Sequence, residues 1–212
     1  MSVIYFKAKW VEEFKPSESI MFWTGSRYVK VPAMEVISDA INVIRNPKYV
    51  AVEIPYMNTN ISMIIIMPNN YSEIRSKYRE FILDVLSKLY KSREVKGIKL
   101  IMPKFNITFK LNLIPYLQEL GINEVFTPGK ADLTRMANVK RGNVWVSKVK
   151  HQAVIKVHEK GTEAAAATAI IMVVAYRPIE KVIIDKLFIY LLRDKESNAI
   201  LFIGHVVNPL EK

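Results

Sequence analysis

The chain has 212 residues, half of them apolar, a formal charge of +11 and no cysteine. That length and apolar content supply a sizeable core, and the missing cysteine excludes both a disulfide framework and thiol chemistry. No low-complexity linker, internal repeat or charge block divides the chain, so the expected organisation is a single unit.

In chain order, Val3 to Trp10 reads as a strand. A turn-rich passage around Pro16-Ser17-Glu18 and Gly25-Ser26 leads into an extended Tyr28 to Pro32. Val50 to Pro55 and Ile61 to Pro68 read as neighbouring strands, the second continuously apolar and therefore buried on both faces. Ile74, Tyr78, Phe81, Ile82, Val85, Leu86, Leu89 and Tyr90 recur at helical spacing, as one amphipathic helix or two short ones. Lys99 to Phe109 is extended; Pro115 suits a first helical turn and Gly121 a helix stop. Val182 to Leu192 and Ala199 to Val207 form a hairpin across Asp194 to Asn198. The fold class is α+β, rich in strands.

Between these last blocks lies the most informative stretch. From Trp145 to Glu159 the residues alternate, with Val149, His151, Ala153, Ile155 and Val157 on one face and mainly Lys, Gln and His on the other. This is the period of a half-buried strand. Then comes Glu159-Lys160-Gly161-Thr162-Glu163-Ala164-Ala165-Ala166-Ala167-Thr168-Ala169, followed by the β-branched run Ile170, Ile171, Val173 and Val174. Alanine favours helix, yet both flanks favour strand, which points to a small-residue hinge with two states available to it. Thr162, Ala164, Ala166 and Thr168 would share one face of an extended segment, narrow enough to enter a packed sheet, and Gly161 supplies backbone freedom at the bend.

The hinge resembles that of the inhibitory serpins, and an ordered set of further matches extends the resemblance along the whole chain. These are Ile4-Tyr5-Phe6-Lys7-Ala8-Lys9-Trp10, Val31-Pro32-Ala33-Met34, Ser62 to Pro68, Met102-Pro103-Lys104-Phe105, Leu120-Gly121-Ile122 with Val125-Phe126, and Ala131-Asp132-Leu133. Leu201 to Pro209 resembles the family's C-terminal signature, with His205 where a basic residue is usual. The resemblance implies a serpin-like multi-sheet fold truncated on its N-terminal side. Residues 1–212 would be the C-terminal part of a single serpin domain, with a mobile reactive-centre loop at about 159–180.

That resemblance also assigns roles. The loop is cleaved by a serine protease as a suicide substrate, and the hinge (Glu159 and Gly161 to Thr168) then inserts into the large sheet. Counting from Glu159 places the scissile bond at Ala175-Tyr176, an elastase-like target; counting back from Val182 places it at Tyr176-Arg177, a chymotrypsin-like one. Pro178 after Arg177 disfavours a trypsin-like enzyme. His151 matches the histidine of the family's shutter, with Ser2 where an asparagine is usual. Lys104 and Glu159 match an ion pair at the top of the sheet beside Trp10. An extracellular setting follows from the same resemblance, and the rival reading is a shortened, non-inhibitory remnant that binds a partner or serves only as a substrate.

Catalysis is not expected. Three histidines without a paired His-x-x-x-His, no Gly-x-Ser-x-Gly elbow and no glycine-rich phosphate loop leave no metal, nucleophile or nucleotide site, and no cofactor is implied. Arg135 to Lys160 holds seven basic residues against one acid, which allows a heparin-like polyanion as a second partner. No aromatic-interleaved or helical recognition motif accompanies that charge, so a specific nucleic-acid partner is not expected. Nor is a membrane, since the uncharged run Ala164 to Tyr176 is too short and too alanine-rich to cross about 30 Å of bilayer.

Overall fold

A computed structural model describes residues 2–92, 97–162 and 180–211. Its strands are β1 (Ser2–Tyr5), β2 (Ala8–Lys9), β3 (Lys15–Trp23), β4 (Tyr28–Ser38), β5 (Asn42–Arg45), β6 (Tyr49–Pro55) and β7 (Ile61–Pro68). Helices α1 (Tyr71–Arg75) and α2 (Tyr78–Lys91) follow, then β8 (Ile98–Pro103), β9 (Phe105–Asn112) and α3 (Ile114–Glu119). The chain ends with β10 (Lys150–His158), β11 (Gly161–Thr162), β12 (Glu180–Ile183), β13 (Phe188–Asp194) and β14 (Ile200–Val206).

The described residues form two compact units, one of residues 2–6 and 107–155, the other of 7–92, 97–106, 156–162 and 180–211. The boundary falls inside β9 and β10. In the smaller unit β1 runs parallel to the first half of β10, with Ser2 opposite His151 and Tyr5 opposite Val154. Helix α3 opens with Pro115 in its first turn and is followed by Gly121 at φ +91°, the stop that its sequence suggests. Little of this unit is buried: Val3, Ile4, Tyr5, Phe109, Leu120 and Met136 are all exposed, and α3 buries no side chain.

The larger unit carries the core. One of its sheets has the order β14-β13-β7-β6-β5, a second β12-β8-β4-β3, and β2, β11 and the end of β10 belong to a third. Strand β7 is buried from Ser62 to Pro68, because β6 and β13 flank it and both of its faces are covered. Helix α2 presents Ile82, Val85, Leu86 and Leu89, at spacings of three and four, to Ala51, Ile64, Ile66, Ile189 and Leu191 of that sheet. Burying each such side chain contributes about 1.5–3 kcal/mol. Asn70 caps α1 by accepting the Ser72 N–H.

Several sequence readings shift in detail. The passage around Pro16-Ser17-Glu18 is strand rather than turn. β3 lies at a sheet edge, where proline is tolerated, and its pairing slips between Ser17 and Ile20. The first strand breaks at Phe6-Lys7, where β1 pairs with β10 and β2 with β11. Val182 to Leu192 is two strands: β12 runs parallel to β8, whereas β13 pairs with β7 and β14 in another sheet. The strand expected from Trp145 begins only at Lys150.

Candidate functional site

The site is built where the first hinge residues meet the strand ends of the larger unit. Strand β11 lies between β2 and the end of β10, antiparallel to both: Thr162 faces Val157 on one side and Ala8 on the other, and Gly161 faces His158 and Lys9. Two residues of the hinge are therefore already strand. Glu159 and Lys160 form the two-residue turn that joins β10 to β11.

Backbone geometry restricts what can stand at residue 161. Gly161 has φ +145°, and a Cβ there would lie 2.1 Å from the Ala8 carbonyl oxygen and 2.8 Å from the Lys9 Cα. Only glycine fits that approach.

Thr162 is fully buried, and its hydroxyl lies 2.7 Å from the Tyr56 hydroxyl, itself buried. Burial pushes the Tyr56 phenol far up, and the Thr162 hydrogen bond opposes this only in part. Trp10, with no exposed surface, stacks on Tyr56 with ring centroids 4.4 Å apart and contacts Phe14 at 5.7 Å. Its indole N–H donates to the His158 carbonyl at 2.9 Å, while its own backbone N–H donates to the Lys160 carbonyl at 3.3 Å. The Glu159 carbonyl accepts from the Phe14 N–H at 2.8 Å. All three carbonyls of the turn region are thus held by the segment from Trp10 to Phe14.

Side-chain charge adds a second clamp. Lys104 Nζ donates to Glu159 Oε1 at 2.9 Å. Burial alone would raise the Glu159 carboxyl, but the Lys104 hydrogen bond, a backbone N–H and the neighbouring positive charge outweigh it, leaving it below the usual range. His158 shifts the same way for a different reason. Partial burial disfavours its charged form, Glu159 opposes that, and Lys160 and Lys104 reinforce it.

Trp10, Lys104, Glu159, Gly161 and Thr162 are thus gathered within one unit. His151 lies in the other, half-buried opposite Ser2, with no side-chain hydrogen bond to another described residue. Glu163 to Thr168 and the scissile candidates Ala175, Tyr176 and Arg177 fall outside the described residues. Among the described residues no cluster of three metal-ligating side chains occurs, and no helix is long and apolar enough to cross a membrane.

Residues 1–209 match the family model for Serpin (serine protease inhibitor). The chain belongs to the serpin family. Among its relatives, Iripin-8 of Ixodes ricinus is 31% identical over 218 residues, covering 97% of this chain and 53% of that protein. A leukocyte elastase inhibitor of Bos taurus is 30% identical, covering 99% of this chain and 58% of that one. The crystal structure of the serpin Serpin48 from Tenebrio molitor superposes with a TM-score of 0.76 at 25% identity, covering 97% and 54% of the two chains. The fold is that of serpins, and the chain spans about half the length of the relatives it matches.

Two participants escaped the sequence reading of this serpin. Tyr56 follows a strand and precedes a turn, and nothing local marks a tyrosine that will meet a threonine 106 residues later. His158 was visible only as a polar residue on the outer face of its strand. Its position two residues before Lys160, at the mouth of a two-residue turn, was the available signal.

Proposed function

We propose that this chain carries the loop and hinge of a serine-protease inhibitor that acts as a suicide substrate. The protease serine attacks the carbonyl carbon of Ala175 or Tyr176, the peptide C–N bond breaks, the new amine leaves with a proton from the protease histidine, and an ester joins the two proteins. The freed hinge then continues inward from Thr162, between β2 and β10, and carries the acylated protease with it before water can release it.

One observation supports this reading above the others. Thr162 is buried between two strands and hydrogen-bonded to Tyr56, so the segment entering the sheet has its first side chain seated before any cleavage. A strand extended from there would carry Ala164, Ala166 and Thr168 on the same face, all small. Relatives named as elastase inhibitors accord with an elastase-like target, and Tyr176 keeps a chymotrypsin-like one open.

A second reading has its own support. The smaller unit leaves Val3, Ile4 and Tyr5 exposed and buries nothing on α3, and the chain spans about half of its relatives. An exposed apolar sheet face favours a chain that is cut without trapping the enzyme, or that binds a partner through this surface. Incubation with elastase-type and chymotrypsin-type enzymes, followed by denaturing electrophoresis, separates the two. A stable covalent complex is expected for the inhibitor; a cleaved loop with fully active protease, in this chain and in a form extended to the relatives' full length, would defeat it.

A further inference from the structure

We infer that His158 is a positioning residue for the hinge: its neutral imidazole caps the β10–β11 turn, so that acid loosens the point from which insertion starts. This deepens the hinge reading above and rests on it.

The argument begins with the turn's backbone groups, each of which must find a partner when it leaves water. The carbonyls of His158, Glu159 and Lys160 are taken by Trp10 and Phe14. Gly161 and Thr162 are paired in the sheet. Of the turn's own N–H groups, that of Lys160 donates to His158 Nδ1 at 3.3 Å. A side chain accepting from the backbone N–H two residues later is the arrangement of an Asx-turn, here made by imidazole instead of asparagine.

An imidazole can accept at Nδ1 only when neutral, with its proton on Nε2. The donor side is not in question, because a backbone N–H never accepts. Protonation puts a second N–H at Nδ1, facing the Lys160 N–H; the bond is lost and two donors confront each other. The charged groups around the ring reinforce this. Lys160 and Lys104 oppose a third positive charge. Glu159, which favours the charged ring, already accepts from Lys104. Half-burial and these lysines hold the ring neutral through the ordinary histidine range near 6.5, so the cap is intact at neutral pH and opens on the acid side of that value. The turn is also where slack matters most: Gly161 sits against the Ala8 carbonyl with no room to adjust, so a turn that drifts carries Thr162 with it.

The test is amide hydrogen exchange at Lys160 to Thr162, corrected for intrinsic pH dependence, from about pH 7.5 to about pH 5, alongside the nuclear magnetic resonance titration of the His158 ring. Protection of these amides is expected to fall about five- to tenfold, the worth of one hydrogen bond, with a midpoint that follows His158. His158→Asn, which keeps an acceptor in the same place and does not titrate, is expected to stay protected across the range. His158→Ala is expected to be loose at neutral pH already. The inference is overturned if the wild-type hinge keeps its protection while His158 titrates, if H158N loses it as the wild type does, or if H158A is as protected as the wild type at neutral pH. No protease is involved, so absence of a covalent complex would count against the inhibitor reading alone.

Discussion

The hydroxyls of Tyr56 and Thr162 lie 2.7 Å apart with both residues buried, one at the end of β6 and the other at the start of the hinge. Sheet and loop are coupled there through a polar contact inside an apolar setting. A buried hydroxyl whose partner is removed costs about 1–3 kcal/mol, whereas replacing both partners by apolar groups of similar shape is close to neutral. Thr162→Val and Tyr56→Phe are therefore each expected to destabilise, and the double variant to recover most of the loss. Denaturant unfolding of the four proteins measures the coupling, expected at about 1 kcal/mol or more. A strictly additive double variant would show that the contact contributes nothing.

Gly161 makes a sharper prediction, because the obstruction is backbone. A methyl group at residue 161 would lie 2.1 Å from the Ala8 carbonyl oxygen, and φ +145° is a conformation that other residues rarely adopt. Gly161→Ala is expected to expel β11 from between β2 and β10 while the rest of the larger unit stays folded. The readouts are faster exchange at the Thr162 amide and earlier proteolytic cutting near the turn. Unaltered protection would show that β11 tolerates the methyl.

The ion pair between Lys104 and Glu159 sets a pH dependence of its own. Both side chains retain solvent contact, so the pair is worth no more than about 1 kcal/mol. Glu159 is held below its ordinary value of 4.5, so its contribution is complete above pH 4.5 and disappears as pH falls through the lower, folded-state value. Glu159→Gln is expected to be slightly less stable than the wild type at neutral pH, and the two stability curves should converge in acid. His158 acts in a separate window, nearer neutrality and with the same sign, because its proton also binds more readily to the opened state. Curves of wild type and E159Q that stay parallel down to acid would remove Glu159 from the account.

Much of this was legible in the residues, and the reason differs from element to element. The strand Ile61 to Pro68 announces itself by continuous apolar character, because both of its faces are covered. The helix over Tyr78 to Lys91 is visible because Ile82, Val85, Leu86 and Leu89 repeat at helical spacing. Pro16 misled, since proline signals a turn and only the sheet order reveals that its strand has a free edge. Val182 to Leu192 misled differently: a run of apolar residues does not say that the chain changes sheets between Ile183 and Phe188. Of the site, Trp10, Lys104 and Glu159, which the structure brings together, were named through family resemblance, and Gly161 and Thr162 through that and small-residue spacing. Tyr56 was not, because its role exists only once β6 and β11 are folded together.

Gly204 offers a test outside the hinge. Its cross-strand partner is Tyr190, whose ring lies where a side chain at residue 204 would stand, with the phenol oxygen 2.6 Å from the position of a Cβ. Tyr190 is buried against Phe105 and cannot swing clear. Gly204→Ala is expected to cost about 1–3 kcal/mol through overpacking. Burial also pushes the Tyr190 phenol up to about 12. The neutral form is thus favoured in the fold, and the associated stability is complete below pH 10 and lost as pH rises from there through 12. Phenolate absorbance during alkaline titration, compared with Tyr190→Phe, measures the shift; a phenol that titrates near 10 would show that the ring is open to water.

The last prediction concerns the rest of the hinge. Thr162 enters the sheet between strands, and successive side chains of an extended segment alternate in direction, so on insertion as strand residues 164, 166 and 168 would follow it onto the same face. At residue 162 the strand interior accommodates a threonine with its hydroxyl satisfied by Tyr56; an arginine further along that face would bring a charge with no partner into the same interior. Ala166→Arg is therefore expected to leave the first cut by the protease unaffected but to slow insertion, so that water hydrolyses the acyl bond and the enzyme departs. On a denaturing gel the covalent band should give way to cleaved chain, and the number of inhibitor molecules consumed per protease should rise at least tenfold, corresponding to about 1.4 kcal/mol in the competition between insertion and hydrolysis. Ala165→Arg, which places the same charge on the opposite face, separates a requirement for small side chains on the inserted face from a general intolerance of charge. Equal effects from the two substitutions would overturn the alternation argument, and no effect from either would mean that the hinge does not insert.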